Sequence, residues 1–269
     1  MKFRHASLFS AALAALSPAS VSAVVYSFPF SVFQPVGTQV GGKDGWTVIG
    51  DSTYTPTDAN GLSLTSTLNG STCAALGGYY YAANPAETPI YLTHSASTWL
   101  ESTSFAVTFA IQGAVEGDER PGRDGFGFTL QNDNRDNLLT ISLAPAASPS
   151  LRYQVLYTVG AGSPQAAKNG ADDMYIDVNG LYSLDLKFTE NGANPTFSAT
   201  VTGSDVQTFN GTATGLGSEL VGNMGALWNV IDNGNNIILF DNIAIVPEPS
   251  TSLLAGLATI GLLRRRRRA

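Results

Sequence analysis

The 269-residue sequence predicts an all-β fold, a two-sheet antiparallel sandwich, on two observations. Apolar and polar residues alternate with period two along several stretches, as a strand with one solvated face requires. Between these stretches lie dipeptides that tolerate positive φ and therefore suit tight turns: Asn60-Gly61, Asn69-Gly70, Asp124-Gly125, Asn179-Gly180, Asn191-Gly192 and Asn210-Gly211. Strands separated by such turns indicate a sandwich and not an α/β fold.

The clearest alternation predicts two strands, Ser104–Gln112 and Tyr182–Thr189. In the first, Phe105, Val107, Phe109 and Ile111 share a face, and in the second Tyr182, Leu184, Leu186 and Phe188 do. Weaker patterns predict further strands at Tyr26–Val32, Trp46–Ile49, Leu62–Leu68, Phe126–Leu130, Leu138–Leu143, Arg152–Val159, Thr196–Thr202 and Ile237–Val246. Between the two ends of the chain, a short segment around Gly217–Val221 is the one place where a helix is expected.

The N-terminus reads as a signal peptide. Lys2 and Arg4 precede the apolar stretch Ala6–Leu16, and the small residues Val21-Ser22-Ala23 follow. This order of basic, apolar and small-residue zones predicts a secretory signal over residues 1–23, cut after Ala23. The sandwich domain is then predicted over residues 24–245.

Residues 246–269 form a tail of three parts. Pro247, Glu248 and Pro249 come first, and the prolines keep this segment extended and accessible. The apolar run Leu253–Leu263 predicts a helix of about 16 Å, shorter than a bilayer core of about 30 Å, and so a short transmembrane helix that acts as a temporary anchor. A terminal cluster stays in the cytoplasm by the positive-inside rule: Arg264, Arg265, Arg266, Arg267 and Arg268.

In this order of parts the tail resembles the PEP-CTERM sorting domain. The resemblance implies that the chain is a substrate of exosortase, an integral-membrane processing enzyme of Gram-negative bacteria that recognises the Pro-Glu-Pro region. It implies an exported protein, attached to the membrane through its C-terminal helix before processing and then located at the cell surface or in the extracellular matrix. The family is associated with exopolysaccharide and biofilm formation, which makes extracellular polysaccharide an expected partner.

The middle of the chain has a second, more diffuse resemblance. Four segments are similar in order and style to the concanavalin-A-like, laminin-G-like jelly roll: Arg123–Leu130, Asn137–Ile141, Tyr182–Leu186 and Leu239–Ile243. Glycosidases with such sandwiches place carboxylates at alternate positions of one strand. The nearest run, Glu116–Glu119, is followed by Arg120 and lies among glycines and a proline. Cys73 and His94 have no catalytic motif around them either, so we predict no enzyme and no catalytic residue.

Charge excludes one class of partner. Between residues 24 and 249 there are 21 acidic and seven basic residues, a formal charge of −14, which repels nucleic acid. The same carboxylates are suited to calcium. The Asn- and Asp-rich segments at 132–137 and 172–179 are read as turns in preference to calcium loops.

Asp241 is the candidate metal ligand of greatest interest. Alternation places it on the face of Ile237, Leu239, Ile243 and Ile245, where a carboxylate must be paired, bound to metal or neutral, unless a β-bulge turns it towards water. Similarity to sandwich carbohydrate-binding modules implies a structural calcium shared with N-terminal loop oxygens, for which Asp44 and Asp51 are the candidates.

Aromatic side chains are the candidate sugar-binding residues, because flat rings stack on pyranose faces. They are Trp46, Trp99, Trp228 and Tyr80, with core packing as the alternative for each. The sequence therefore favours a non-enzymatic surface or matrix protein that is structural or adhesive in the exopolysaccharide or biofilm layer. A carbohydrate-binding module and an exported glycan-active enzyme are the alternatives.

Overall fold

A computed structural model describes residues 26–28, 40–42, 44–50, 65–77, 89–100, 103–112, 124–147, 152–189, 194–216, 219–229 and 236–247. Within these ranges the chain forms eighteen strands and no α-helix. The strands are β1 Tyr26–Phe28, β2 Trp46–Ile49, β3 Thr65–Leu68, β4 Ser71–Gly77, β5 Ile90–Trp99, β6 Thr103–Gln112, β7 Gly125–Gln131, β8 Asn137–Pro145, β9 Arg152–Val159, β10 Gln165–Ala166, β11 Lys168–Asn169, β12 Asp172–Asp173, β13 Tyr175–Asp177, β14 Tyr182–Thr189, β15 Thr196–Thr202, β16 Val206–Thr212, β17 Leu220–Asn229 and β18 Ile237–Pro247.

The strands form two eight-stranded sheets, paired antiparallel throughout. The first sheet has the order β16-β15-β14-β6-β18-β4-β3, with β1 also paired to β18. The second has the order β10-β9-β8-β7-β17-β5-β2, with β13 also paired to β9. A small hairpin of β11 and β12 completes the set. The predicted all-β, two-sheet sandwich is confirmed.

The inner faces of the two sheets share one apolar core. Phe128 of the second sheet meets three rings of the first, with centroids 6.2 Å away at Phe105, 5.3 Å at Phe109 and 6.0 Å at Phe240. Both apolar faces predicted from alternation, on β6 and β14, are buried in this core. The period-two pattern therefore identified the inward side of each strand correctly.

Four long strands escaped the sequence analysis: β4, β5, β16 and β17. Most of β4 and β17 is buried on both faces, which removes the alternation that identifies a strand. The helix expected around 217–221 is wrong where the chain is described, because Leu220 and Val221 begin β17.

Some of the turns predicted from dipeptides are confirmed and others are wrong. Asn69-Gly70 joins β3 to β4 with positive φ at both residues, and Asn179 also has positive φ, as predicted. The turns predicted at Asp124-Gly125 and Asn210-Gly211 are wrong, because Gly125 lies in β7 and Asn210-Gly211 lies within β16. Asn60-Gly61 and Asn191-Gly192 lie outside the described residues.

Part of the first sheet is apolar on its outer side as well. Leu68, Cys73, Ala75, Ala110 and Leu239 form a second buried cluster there, with Ile237 packed against it. Ala110 and Leu239 are cross-strand partners, and Leu239 also pairs with Ala75. Cys73 is buried in this cluster, as expected of a single thiol in a sandwich.

The sandwich lies within Val25–Glu248. The predicted signal peptide and anchor helix lie outside the described residues. Across the part of the chain that is described, no helix has the length and apolarity needed to cross a membrane.

Candidate functional site

The outer side of the second sheet, called the cleft face here, carries cross-strand rows of small and polar side chains. Strand pairing aligns β5, β17, β7, β8 and β9 in that order. One row consists of Tyr91, Leu227, Gly127, Ser142 and Leu156, and the next of Thr93, Gly225, Thr129, Thr140 and Thr158. Side chains within a row are neighbours on the same face of the sheet.

Two glycines form the floor of this face. A Cβ on Gly225 would lie 2.1 Å from the Leu92 carbonyl oxygen, and one on Gly127 would lie 2.4 Å from that of Ile141. The obstacles are backbone atoms, which cannot rotate away as a side chain does. The strands reach this packing only because positions 127 and 225 have no side chain.

An open cleft of about 290 Å³ lies on this face. Its lining combines hydroxyl and amide groups with short apolar side chains, and includes Tyr91, Asn137, Thr140, Ser142, Leu227 and Asn229. None of the described residues that line it is Asp, Glu, Lys, Arg or His. The surface is thus suited to an uncharged ligand with many hydroxyl groups.

A hydrogen-bond network lies along one side of the cleft. Asn137 Oδ1 accepts from Gln131 Nε2 at 3.0 Å and from Thr129 Oγ1 at 3.1 Å. Asn137 Nδ2 donates to the Tyr91 hydroxyl at 3.4 Å, and the hydroxyls of Thr129 and Thr140 are 3.2 Å apart. The network therefore connects two cleft-lining hydroxyls, those of Tyr91 and Thr140, through buried groups.

Gln131 is 2% exposed, and its Oε1 is a buried oxygen without a hydrogen-bond partner among the described residues. Leaving such an acceptor unpaired costs about 1–3 kcal/mol. Polar atoms in this state are rare in folded proteins and call for a specific explanation. Sequence analysis missed Gln131, because no motif marks a glutamine at the end of a strand.

A buried carboxylate supports the entry to β7. Trp228 Nε1 donates to Asp124 Oδ2 at 2.9 Å, and the Tyr153 hydroxyl donates to the Asp124 carbonyl at 3.2 Å. Asn236 Nδ2 donates in turn to Tyr153. These contacts fix the start of the strand whose Gly125 and Phe126 line the cleft.

The predicted stacking residues have different outcomes. Trp46 and Trp228 are 1% and 0% exposed, so as sugar platforms they are wrong: both are core residues. Trp46 packs edge-on against His94, with centroids 5.4 Å apart. Trp99 is 54% exposed at the end of β5, beyond a shift in the register of β5 with β17 that interrupts the alternation of faces. Tyr80 lies outside the described residues.

Asp241 lies next to a β-bulge. The pairing of β18 with β6 shifts between Asp241 and Ala244, and Asn242 has a φ of 53°. The shift moves Ile243 and Ile245 to the inner core while Leu239 stays in the outer cluster, so the common face predicted for all of them is wrong. Asp241 is 7% exposed, and its Oδ1 accepts a hydrogen bond from the Asn242 backbone N–H at 2.8 Å.

The two predicted calcium ligands that the structure describes lie on different sheets, and calcium binding stays a prediction. Asp44 lies in the turn before β2 of the second sheet, where its carbonyl is 2.8 Å from His94 Nε2, whereas Asp241 belongs to the first sheet. Asp51 lies outside the described residues. The described ranges contain no group of three or more His, Cys, Asp or Glu arranged to hold a metal ion.

The structure also shows how two other groups of residues considered in the sequence are arranged: the turn at 132–137 and the pair Cys73 and His94. In the turn at 132–137, the Asn132 Oδ1 accepts from the Asp136 N–H at 2.9 Å, which is the expected Asx-type turn. Cys73 and His94 lie in different sheets. The run Glu116–Glu119 lies outside the described residues.

Tyr182 is a titratable group of the core and not of the cleft. Burial raises the pKa of its hydroxyl, because the charged form loses solvation. The hydroxyl accepts a hydrogen bond from the Asp177 N–H at 2.9 Å. Its role is to tie the end of β13 to β14.

Sequence comparison identifies the tail. A model described as the PEP-CTERM protein-sorting motif matches residues 246–268. The chain carries a PEP-CTERM motif. The motif indicates an exported protein, anchored transiently through its C-terminus and processed by an exosortase. No curated protein matches the chain.

The PEP-CTERM motif begins inside the last strand. Val246 and Pro247 pair with Ser104 and Thr103, so β18 extends one residue further than predicted and includes the first proline. A proline at a strand end is compatible with pairing. Glu248, Pro249 and the cluster Arg264–Arg268 lie outside the described residues.

Solved structures share the fold. The chain is similar to the carbohydrate recognition domain of Emp46p in a metal-free form, with a TM-score of 0.51 and 12% identity, covering 83% of this chain and 97% of that one. It is also similar to a lectin from Bauhinia forficata in complex with GalNAc, with a TM-score of 0.46 and 11% identity, covering 84% of this chain and 98% of that one. A third similar structure is an alginate lyase from Aplysia kurodai, with a TM-score of 0.45 and 11% identity, covering 69% of this chain and 87% of that one. At such identities the likeness shows the fold alone, a lectin-like jelly roll.

Proposed function

We propose that this PEP-CTERM protein is an adhesive component of the extracellular polymer layer, and that its sandwich binds an uncharged polysaccharide in the cleft of the second sheet. The observation that carries the proposal is the lining of the cleft. Hydroxyl and amide groups read sugar hydroxyls, and the short apolar side chains pack on the C–H faces of a sugar ring.

Charge favours a neutral polymer over a polyuronate. An acidic polysaccharide needs cationic partners, and the cleft-lining residues within the described ranges include neither Lys nor Arg. Residues 24–249 as a whole carry a formal charge of −14, which repels polyanions.

The same lining favours binding over catalysis. Glycoside hydrolysis needs two carboxyl groups across the scissile bond, and the lining residues that the structure describes include no carboxylate. Among the described lining residues, Tyr91 has the only titratable side chain. The proposed role is therefore non-enzymatic, and the PEP-CTERM tail would deliver the domain to the cell surface or matrix of a Gram-negative bacterium.

The test is binding to immobilised polysaccharides by the processed protein purified from its host. We expect binding to at least one of dextran, pullulan, laminarin, xyloglucan and galactomannan, and none to alginate. Ser142→Tyr fills the cleft and should abolish binding, whereas Thr200→Tyr makes the matched change on the outer face of the first sheet and should leave it intact.

Two results would contradict the proposal. Equal binding by both variants would exclude the cleft, and retention on alginate alone would exclude a neutral ligand. Mass spectrometry of the same preparation should give a C-terminus at or after Pro247, because residues up to 247 are paired in β18. A secreted form that still ended at Ala269 would contradict the sorting function.

A further inference from the structure

Trp99 lies at the end of the sandwich from which the C-terminal tail leaves. Its carbonyl accepts a hydrogen bond from the Thr103 hydroxyl, across the turn between β5 and β6. Thr103 in turn pairs with Pro247, the last residue of β18 and the first of the Pro-Glu-Pro segment. Because adjacent strands are about 5 Å apart and a hydrogen bond spans about 3 Å, the Trp99 backbone lies about 10 Å from the start of the tail. This end of the sandwich, with Trp99, Thr103 and Pro247, is called the exit end here.

The exit end carries an exposed aromatic ring. Among the described residues, the exposed large apolar side chains are Trp99, Leu181 and Val206, at 54%, 43% and 66%. Leu181 lies at a different level of the sandwich, because it precedes Tyr182, which pairs with Phe109 of β6 about 20 Å along that strand from Thr103. An exposed apolar side chain is ordinary by itself, so the position of Trp99 at the exit end is what matters.

The tail gives the exit end a partner. The PEP-CTERM motif indicates a transient membrane anchor, and the apolar run expected to form it begins at Leu253, so residues 248–252 separate it from Pro247. The six steps from Pro247 to Leu253 span about 20 Å when fully extended. The eleven residues of β18 alone extend over about 36 Å. Because the connection is shorter than the sandwich, an anchored domain keeps its exit end towards the bilayer.

The indole of Trp99 suits this position chemically. Tryptophan combines an apolar ring with one N–H donor and is enriched where the bilayer meets water. Electrostatic attraction to lipid headgroups is not available, because residues 24–249 carry a formal charge of −14. Glu219 is exposed beside Trp99, since the next residue, Leu220, is the cross-strand partner of Trp99. Contact with lipid therefore depends on the ring and on the tether, which keeps the ring at a high effective concentration near the membrane.

We propose that the exit end docks on the lipid bilayer while the tail anchors the chain, with the Trp99 indole at the interface between headgroups and acyl chains. This docking goes beyond polysaccharide binding and does not depend on it, because no sugar takes part. It holds the Pro-Glu-Pro segment at the membrane surface, where an integral-membrane protease acts. Cleavage removes the tether and so releases the domain.

Fluorescence quenching in vesicles tests the proposal. The full-length protein, made in a host without exosortase, is reconstituted into phosphatidylcholine vesicles whose acyl chains carry bromine near the headgroups. Bromine quenches an indole only at close range. The chain has three tryptophans, and Trp46 and Trp228 are buried and give the same background in every variant. We expect the emission of Trp99, taken as wild type minus Trp99→Phe, to be lower in brominated vesicles than in vesicles of the unbrominated lipid.

Two controls locate the contact. The double variant Trp99→Phe/Leu181→Trp moves the exposed indole away from the exit end, and that indole should keep its full emission in brominated vesicles. Both positions are exposed, so neither substitution should prevent folding. The processed protein, cut at or after Pro247, should also keep its full emission, because it has lost the tether.

Three results would overturn the proposal. The first is full emission of Trp99 in the anchored protein, and the second is equal quenching of the indoles at positions 99 and 181. The third is quenching of the processed protein as strong as that of the anchored one, which would exclude the tether as the cause. Shielding of Trp99 that required added exosortase would assign the exit end to a protein partner and exclude lipid. None of these results depends on whether the cleft binds a polysaccharide.

Discussion

Two pairs of threonine hydroxyls lie at the same separation in opposite surroundings. On the cleft face, the Oγ1 atoms of Thr129 and Thr140 are 3.2 Å apart and buried. On the outer side of the first sheet, those of Thr200 and Thr208 are also 3.2 Å apart, but they are exposed. Because the Oγ1–Oγ1 distances are equal, any difference between the two pairs in their contribution to the free energy of unfolding must come from exposure to solvent.

The contrast extends to the two faces as a whole. Around Thr200 the outer strands β14, β15 and β16 present solvated residues such as Asp185, Lys187 and Asn210. Around Thr129 the cleft face combines glycines and buried amides. The solvated side chains around Thr200 serve only to keep the protein soluble. Around Thr129 the polar groups are placed where each hydrogen bond has a measurable effect on the free energy. This difference is the reason why the proposed ligand is assigned to the second sheet.

The largest expected effect comes from the glycines. Gly225→Ala should lower the free energy of unfolding by about 2–3 kcal/mol, because the new Cβ meets the backbone oxygen of Leu92 and the strands must separate. Gly211→Ala, on the edge strand of the first sheet, meets the ring tip of Phe197 and should cost about 1 kcal/mol. Urea denaturation of both variants makes the comparison. Equal losses would show that the second sheet is no more tightly packed than the edge of the first.

An intermediate effect is expected at Asp241. Asp241→Ala removes the acceptor that holds the Asn242 N–H at the bulge, where Asn242 has positive φ, and should cost about 1–2 kcal/mol. Asp185→Ala, at an exposed position of the same sheet, should change stability by about 0.5 kcal/mol or less. The measurement is thermal unfolding with and without EDTA. We expect chelation to leave the wild-type melting temperature unchanged, and a fall would indicate calcium at this carboxylate.

The smallest effect is expected for the threonine pairs themselves. Thr140→Val should cost about 1 kcal/mol, because the buried Thr129 oxygen loses its neighbour. Thr208→Val should stay within about 0.5 kcal/mol, because water replaces the lost hydroxyl. Chemical denaturation of both variants measures the two losses of stability and distinguishes them. A loss at Thr208 as large as that at Thr140 would remove the distinction between the faces.

Prediction from the sequence succeeded where the signal is local. The tail was recognised because its motif, apolar run and arginines are contiguous, and each part has a physical meaning within a few residues. The inward faces of β6 and β14 were identified because alternation with period two depends only on the strand itself. The sandwich class followed from these strands together with the turn dipeptides.

Only the tertiary structure decided which polar and aromatic side chains form a site. Trp46, Trp99 and Trp228 are equivalent in the sequence, but the first and third are core residues and only the second is exposed, since burial depends on what packs across the strand. The bulge after Asp241 moves its apolar neighbours to the other face, which alternation alone does not specify. The cleft needs Tyr91, Gln131 and Asn137 to meet from three strands, and that meeting is a matter of register. Alternation fixes the face of a residue only where the strand is regular, and the cross-strand neighbour of any residue is set by pairing between segments far apart in the chain.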